Sequence, residues 1–347
     1  MNTDMGFSRM PRVIPSGARN LHLLVLALIG AALWMPAAAA AEAYKVPGAK
    51  DGFVTTPDGV KIHYLEVGKP TTKGSVALRG NPPKLVLAIE AESPAILFVP
   101  GWTMPAWIWE KQIAHFSKTH RVVAMDPRSQ GESQQTTEGH YPAARARDIK
   151  AVVDQLKLAP VVLVGWSMGV TEIAAYVDQF GTADLAGLVL VDGIAGSDYD
   201  PEHTPGFLQW AASFQRDRQK ATDAFFRFMY MNPAVKADEA YLQRVIQASL
   251  GTPTNTAAAL LLGMVTTDNR PALAKIDKPT LIVVARSPWL PFYEDLHKRI
   301  PGSQFAVMDN VGHALFVDDP ERFNLLLEKF LEPLWVKLPE PKVYQQR

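Results

Sequence analysis

The chain has 347 residues, 48% of them hydrophobic, enough for a sizeable core. Its 35 basic and 35 acidic residues cancel and form no basic stripe, so charge gives nucleic-acid binding no support. The lack of cysteine excludes disulfides, thiolate catalysis and cysteine metal sites.

Residues 1–41 read as targeting rather than fold. Arg9, Arg12 and Arg19 precede the apolar run LHLLVLALIGAALWM (21–35); Pro36 breaks it, and alanines follow. This order matches a secretory signal peptide, with cleavage expected between Ala39 and Ala43. The alternative is an uncleaved membrane anchor, although the run is shorter than the ~20 residues a span needs. Without cysteine at the cleavage region a lipid-anchored product is excluded, and an arginine pair for the twin-arginine route is missing. The expected location is the periplasm or the outside of a bacterium, where stability must come from the core rather than from staples.

GFVTTPDGVKIHYLEVG (52–68) predicts a β-hairpin turning at Pro57–Gly59. Residues 69–83, rich in Pro, Gly, Lys and Thr, read as a loop, and KLVLAIEAE (84–92) as an extra edge strand. AILFVPG (95–101) is continuously apolar, as a strand buried on both faces should be. Helices and strands then alternate: WEKQIAHFSKT, RVVAMD, PAARARDIKAVVDQLKL, VVLVG, GVTEIAAYVDQFG and LAGLVLVDG. That alternation implies βαβ units and a mostly parallel, doubly wound α/β sheet. It stops near Ile194 and resumes near Lys278, leaving a helical insertion of about 80 residues rich in Phe, Met, Trp and Leu. PTLIVVA (279–285), HKRI, QFAVMD and PERFNLLLEKFLEPLW complete the pattern. The expected organisation is a core over 42–193, a helical cap after the sixth strand over 194–275, core again over 276–335, and a loose extension over 336–347.

VGWSMGV (164–170) sits where the strand 160–165 turns into a helix. This is the setting of a nucleophile elbow, in which the backbone on either side of the serine is pressed together and a Cβ would clash. Gly165 and Gly169 meet that need, and Ser167 would face the free N–H groups of a helix start. A serine hydroxyl needs a base. His313, in the loop of DNVGHALFVDDPERF before the last helix, is the candidate. His63, His115, His120, His140, His203 and His297 lie in places that suit solvated or structural roles.

In FVPGW, MDPRSQGES, GWSMG and the late GH, the chain resembles the α/β-hydrolase superfamily over roughly residues 52–333. It is most similar there to cap-bearing bacterial esterases and cofactor-free haloperoxidases. The resemblance implies a Ser–acid–His triad in that chain order. It also implies an oxyanion hole from the backbone N–H groups of Met168 and Trp102. Pro100 stands where many relatives have a histidine, so the hole loop should be bonded differently. The acid is open. After the seventh strand, where most relatives carry an aspartate, the sequence reads VVARSPWLPFYED. Asp192, after the sixth strand, is one candidate; Glu294 or Asp295 is another; a dyad completed by water is the third. Asp126, Arg128, Gly131 and Ser133 are expected to shape a turn, and Asp268 and Arg270 a joint.

The expected reaction is hydrolysis of small carboxylic esters. The cap aromatics and the three tryptophans of GWTMPAWIW at the pocket mouth would favour apolar or aromatic groups, unless they are cap core. Lactonase, amidase, perhydrolase and C–C hydrolase chemistry fit the same fold, as does a binding protein that has lost turnover. No cofactor or metal is expected: H-E-x-x-H, ligand-spaced clusters and a G-x-G-x-x-G after a strand are all missing.

Overall fold

A computed structural model describes residues 44–79, 84–196, 204–230 and 238–337. The chain divides into two units, Met1–Tyr44 and Lys45–Arg347. The expected signal segment and the extension beyond Lys337 lie outside the described residues.

The hairpin forms as expected: β1 (Lys50–Thr55) pairs antiparallel with β2 (Lys61–Val67). The next stretch departs from expectation. Residues 69–83 contain a strand, β3 (Thr72–Arg79), which pairs antiparallel with β4 (Lys84–Glu92). β4 is not an edge of the main sheet; it belongs to a separate three-stranded sheet with β3 and a short terminal strand. Backbone pairing decides this, and a loop-like composition does not report it.

The main alternation follows in chain order. β5 (Ala95–Val99) leads to α1 (Glu110–Phe116) and β6 (Val122–Met125). Then come α2 (Pro142–Gln155), β7 (Val161–Trp166), α3 (Met168–Phe180) and β8 (Leu185–Val191). The insertion carries α4 (Thr204–Arg216), α5 (Arg218–Phe225), α6 (Glu239–Gly251) and α7 (Thr254–Val265). α8 (Arg270–Leu273), β9 (Thr280–Ala285), α9 (Leu290–Arg299) and β10 (Gln304–Met308) return to the sheet. α10 (Leu315–Asp318), α11 (Pro320–Leu331) and β11 (Val336–Lys337) end it, β11 being the third strand of the small sheet.

The eight-stranded sheet runs β1-β2-β6-β5-β7-β8-β9-β10 and is parallel from β6 to β10. Every residue of β5, β6, β7 and β9 is buried, which is why these strands read as unbroken apolar runs. Alternate residues feed two cores. Phe98, Val164, Val189 and Val283 face one layer with α1 and α11; Leu97, Leu163, Leu190 and Ile282 face the other with α2 and α3. Each such side chain contributes about 1.5–3 kcal/mol by leaving water.

Strand order places the site. From β5 the chain moves to β6 on one side, then crosses to β7 on the other and continues outward. Ligand crevices in such sheets open at the carboxyl ends of the two strands that flank this reversal. Gly101 follows β5 and Ser167 follows β7.

The insertion leaves and returns through one antiparallel bridge between Gly196 and Asp268. Ala272, Leu273 and Ile276 already pack in the α2–α3 layer. The cap therefore closes at about Asp268, ahead of the expected 275.

Candidate active site

β7 drives its chain into a turn at Ser167, whose φ of 57° and ψ of −119° lie in a region L residues avoid. Close packing demands the glycines. A Cβ on Gly165 would stand 2.7 Å from the Gly169 carbonyl oxygen, and one on Gly169 would stand 2.7 Å from that of Val99. Gly193, just past β8, is as constrained: its Cβ would lie 2.3 Å from the Ser167 carbonyl oxygen. The elbow is thus wedged between the ends of β5 and β8. Ser167 N–H donates to Val191 O at 2.9 Å, fixing it to β8. Its side chain stays half-buried while its neighbours are buried.

His313 arrives from the loop after β10. Its Nδ1 lies 2.7 Å from Asp192 Oδ2 and its Nε2 lies 2.8 Å from Ser167 Oγ. An ionised carboxylate only accepts, so the ring proton sits on Nδ1 and Nε2 is free to accept from the serine hydroxyl. Asp192, at a φ of 42° just past β8, is 3% exposed. Its Oδ1 accepts from Ala285 N–H at 2.8 Å, and the Tyr293 hydroxyl of α9 faces the same carboxylate. Burial, with Asp192's charge beside it, pushes that phenol well above its usual value, so it stays protonated and able to donate.

This geometry brings Asp192, and neither Glu294 nor Asp295, beside the histidine. Asp295 pairs with Arg299 at 2.5 Å and Glu294 is exposed. α9 turns both away from His313, whose Nδ1 is occupied, and brings Tyr293 inward instead. The expected tryptophan mouth also needs correction. Trp102 lines the cleft, but Trp109 is fully buried against Phe98 and Phe316, and Trp107 packs against the same inner layer.

Trp102 and Met168 line the same cleft as Ser167 and His313. Neither backbone N–H donates to an acceptor among the described residues. Their side chains are clamped by the cap: Trp102 packs on Phe214 and Phe225 and donates from Nε1 to Ala257 O at 2.8 Å. The histidine loop is braced by Trp166, whose Nε1 donates to His313 O at 2.9 Å, and by Ala314 N–H donating to Tyr230 O at 2.8 Å. The cleft encloses about 600 Å³, with Phe207, Trp210, Phe225, Phe228, Leu261 and Met264 along its cap side.

The remaining expected residues are structural. Asp126 accepts from Ala106 N–H and Glu132 N–H and pairs with His63, while Arg128 pairs with Asp148. Asp268 and Arg270 pair with each other at the cap's neck. His203 lies outside the described residues. Among the described residues there is no group of three His, Cys, Asp or Glu able to hold a metal ion. No helix among them is long and apolar enough to cross a membrane.

Residues 96–324 match the alpha/beta hydrolase family. The chain belongs to that family. This hydrolase is 25% identical over 300 residues to a non-heme chloroperoxidase of Streptomyces lividans, covering 81% of its own length and 99% of the relative's. It is 32% identical over 158 residues to a bifunctional esterase/perhydrolase of Acinetobacter calcoaceticus, covering 45% and 50% of the two chains. An esterase structure from Exiguobacterium antarcticum superposes with a TM-score of 0.70 at 22% identity, covering 82% of this chain and all of that one. The last match shows the fold alone. Family and curated relatives together make the chain an enzyme, a hydrolase.

Two features of this hydrolase's site were missed in the sequence. Tyr293 carries no motif, but its place one turn into the helix after the empty acid position was a signal. Gly193, directly after Asp192, was another.

Proposed function

We propose that this hydrolase is an exported serine esterase that works through an acyl-enzyme on Ser167. The observation that carries the reading is the continuous chain Ser167 Oγ, His313 Nε2, His313 Nδ1, Asp192 Oδ2, with links of 2.8 and 2.7 Å. His313 takes the serine proton as Oγ attacks the acyl carbon, and Asp192 holds the ring in the required tautomer. The oxyanion forms toward the Trp102 and Met168 N–H groups, each worth on the order of 3 kcal/mol at the transition state. His313 then protonates the leaving alcohol, and activates the water that frees Ser167.

The cleft's aromatic and apolar cap side supports esters with apolar or aromatic groups. Likeness to an esterase/perhydrolase favours a second use of the same acyl-enzyme, attack by hydrogen peroxide to give a peracid. The rival of a pocket without turnover leaned on the missing carboxylate after β9, a vacancy that Asp192 fills. Residues 1–41 support export, so the mature chain should begin between Ala39 and Ala43.

A fluorophosphonate probe tests the core of this reading. The folded protein should be labelled at Ser167 and Ser167→Ala should not; an unlabelled folded parent overturns it. A panel of p-nitrophenyl esters, lactones and an amide then fixes the bond cleaved.

A further inference from the structure

The oxyanion loop after β5 is bonded from behind by a buried amide, that of Gln130. This side chain is 1% exposed, and all of its hydrogen-bonding capacity is spent. Its Nε2 donates to Gly101 O at 3.2 Å and to Met104 O at 2.8 Å. Its Oε1 accepts from Thr103 N–H at 3.2 Å and from Arg145 Nη2 at 2.7 Å. Arg145 cannot accept a hydrogen bond, so the amide has one orientation: oxygen toward Arg145, nitrogen toward the two carbonyls. Arg145 is itself buried and faces Glu172 of α3 at 2.9 Å.

Gly101 O belongs to the same peptide unit as Trp102 N–H. In a trans peptide the two point in opposite directions. Gln130 grips the carbonyl end together with Met104 N–H, which donates to the same oxygen at 3.2 Å, and so helps to aim the N–H end into the cleft. Gly101 packs directly on the nucleophile, since a Cβ built on it would lie 3.0 Å from Ser167 Cβ. Thr103, in the same loop, sits at a φ of 58°, a backbone strain that needs outside support. The chain from Arg145 through Gln130 to the Gly101 carbonyl also polarises that peptide in the sense that strengthens its N–H as a donor.

We propose that Gln130 is a positioning residue for the oxyanion hole: it fixes and polarises the 101–102 peptide so that Trp102 N–H meets the charge that develops on the substrate oxygen. The proposal rests on the serine-esterase reading and adds a residue to it. It also answers the departure at Pro100, because the hole loop takes its support from the turn after β6.

Gln130→Glu is the informative variant. Its carboxylate still accepts from Arg145 and Thr103, but offers nothing to Gly101 O and Met104 O. The expected result, per fluorophosphonate-titrated active site, is a fall in kcat/KM of about 10- to 100-fold, carried by kcat. Inhibition by an aryl trifluoromethyl ketone, which forms a tetrahedral adduct, should weaken in parallel. Inhibition by the corresponding secondary alcohol, which forms none, should stay within twofold. A folded Gln130→Glu with the parent's kcat/KM overturns the proposal, and so does equal weakening of ketone and alcohol, which would mark a general distortion of the cleft. Should Gln130→Glu not fold, Gln130→Met keeps the volume without the amide and is read by the same ketone-to-alcohol ratio. A parent that turns over no ester overturns the esterase reading and the role of Gln130 with it; a working parent with an unaffected variant overturns only the latter.

Discussion

Ser167, Asp192 and Thr103 all have positive φ, at 57°, 42° and 58°, and all stand at the carboxyl ends of neighbouring strands. Such conformations cost on the order of 1–3 kcal/mol each and persist where surrounding packing holds them. Ser167→Gly should therefore raise stability by about 1 kcal/mol while abolishing turnover, read by calorimetry and ester hydrolysis. A lower melting temperature in Ser167→Gly would show that the elbow is not strained at the serine. Asp192→Asn should lower kcat on the order of 10⁴-fold, because an amide that donates toward Nδ1 selects the wrong tautomer. Glu294→Gln should run at the parent rate, and a reversal of these two outcomes would return the acid to α9. The serine and the histidine were legible from the elbow pattern and the late GH alone. The acid was not, because two positions had carboxylates in plausible places and only folding brings one of them to 2.7 Å.

At the scale of elements, the site depends on how closely β5, β7 and β8 end together. Gly193→Ala drives a Cβ into Ser167 O, at 2.3 Å, and backbone cannot yield as a side-chain tip can. Its expected outcome is loss of fluorophosphonate labelling together with lower thermal stability; full labelling would mean that the β8 end can retreat. A second prediction belongs to the α1–β6 connection. Burial pushes His120 down from 6.5 to about 4, so it stays neutral while folded. Between those values the unfolded chain binds a proton that the folded one refuses, so stability is lost as pH falls from 6.5 toward 4. His120→Asn should flatten that part of the stability–pH curve relative to the parent, measured by denaturant unfolding at several pH values. Parallel curves for the two proteins would refute it. Strands buried on both faces announced themselves by unbroken apolar runs. β3 did not, because its partner is another strand of the small sheet and its own composition resembles a loop.

For the molecule as a whole, the cap does two jobs at once. It buries Trp102 and Met168 beneath α4 and α7, and it braces the histidine loop through Tyr230 O. Trp210, Phe225 and Phe228 also divide the cleft of about 600 Å³ from a second hollow of about 460 Å³ between α4 and α5. Trp210→Ala should open one into the other. The expected readout is a shift of kcat/KM toward longer acyl chains in a p-nitrophenyl ester series, each accommodated methylene being worth roughly 1–3 kcal/mol. An unchanged chain-length profile would show that substrate does not reach that wall.

The sequence by itself determined the layered α/β architecture, the elbow at VGWSMGV and the existence of a helical cap. These follow from local periodicity and from a steric rule that spans five residues, so short stretches of chain carry them. Tertiary structure alone decided the rest: that Asp192 and not Glu294 or Asp295 stands behind His313, that only Trp102 of three tryptophans reaches the cleft, and that Gln130 grips the oxyanion loop. Each of those is a contact between segments far apart in the chain. No pattern in either segment encodes it; the strand order and the close packing of strand ends do.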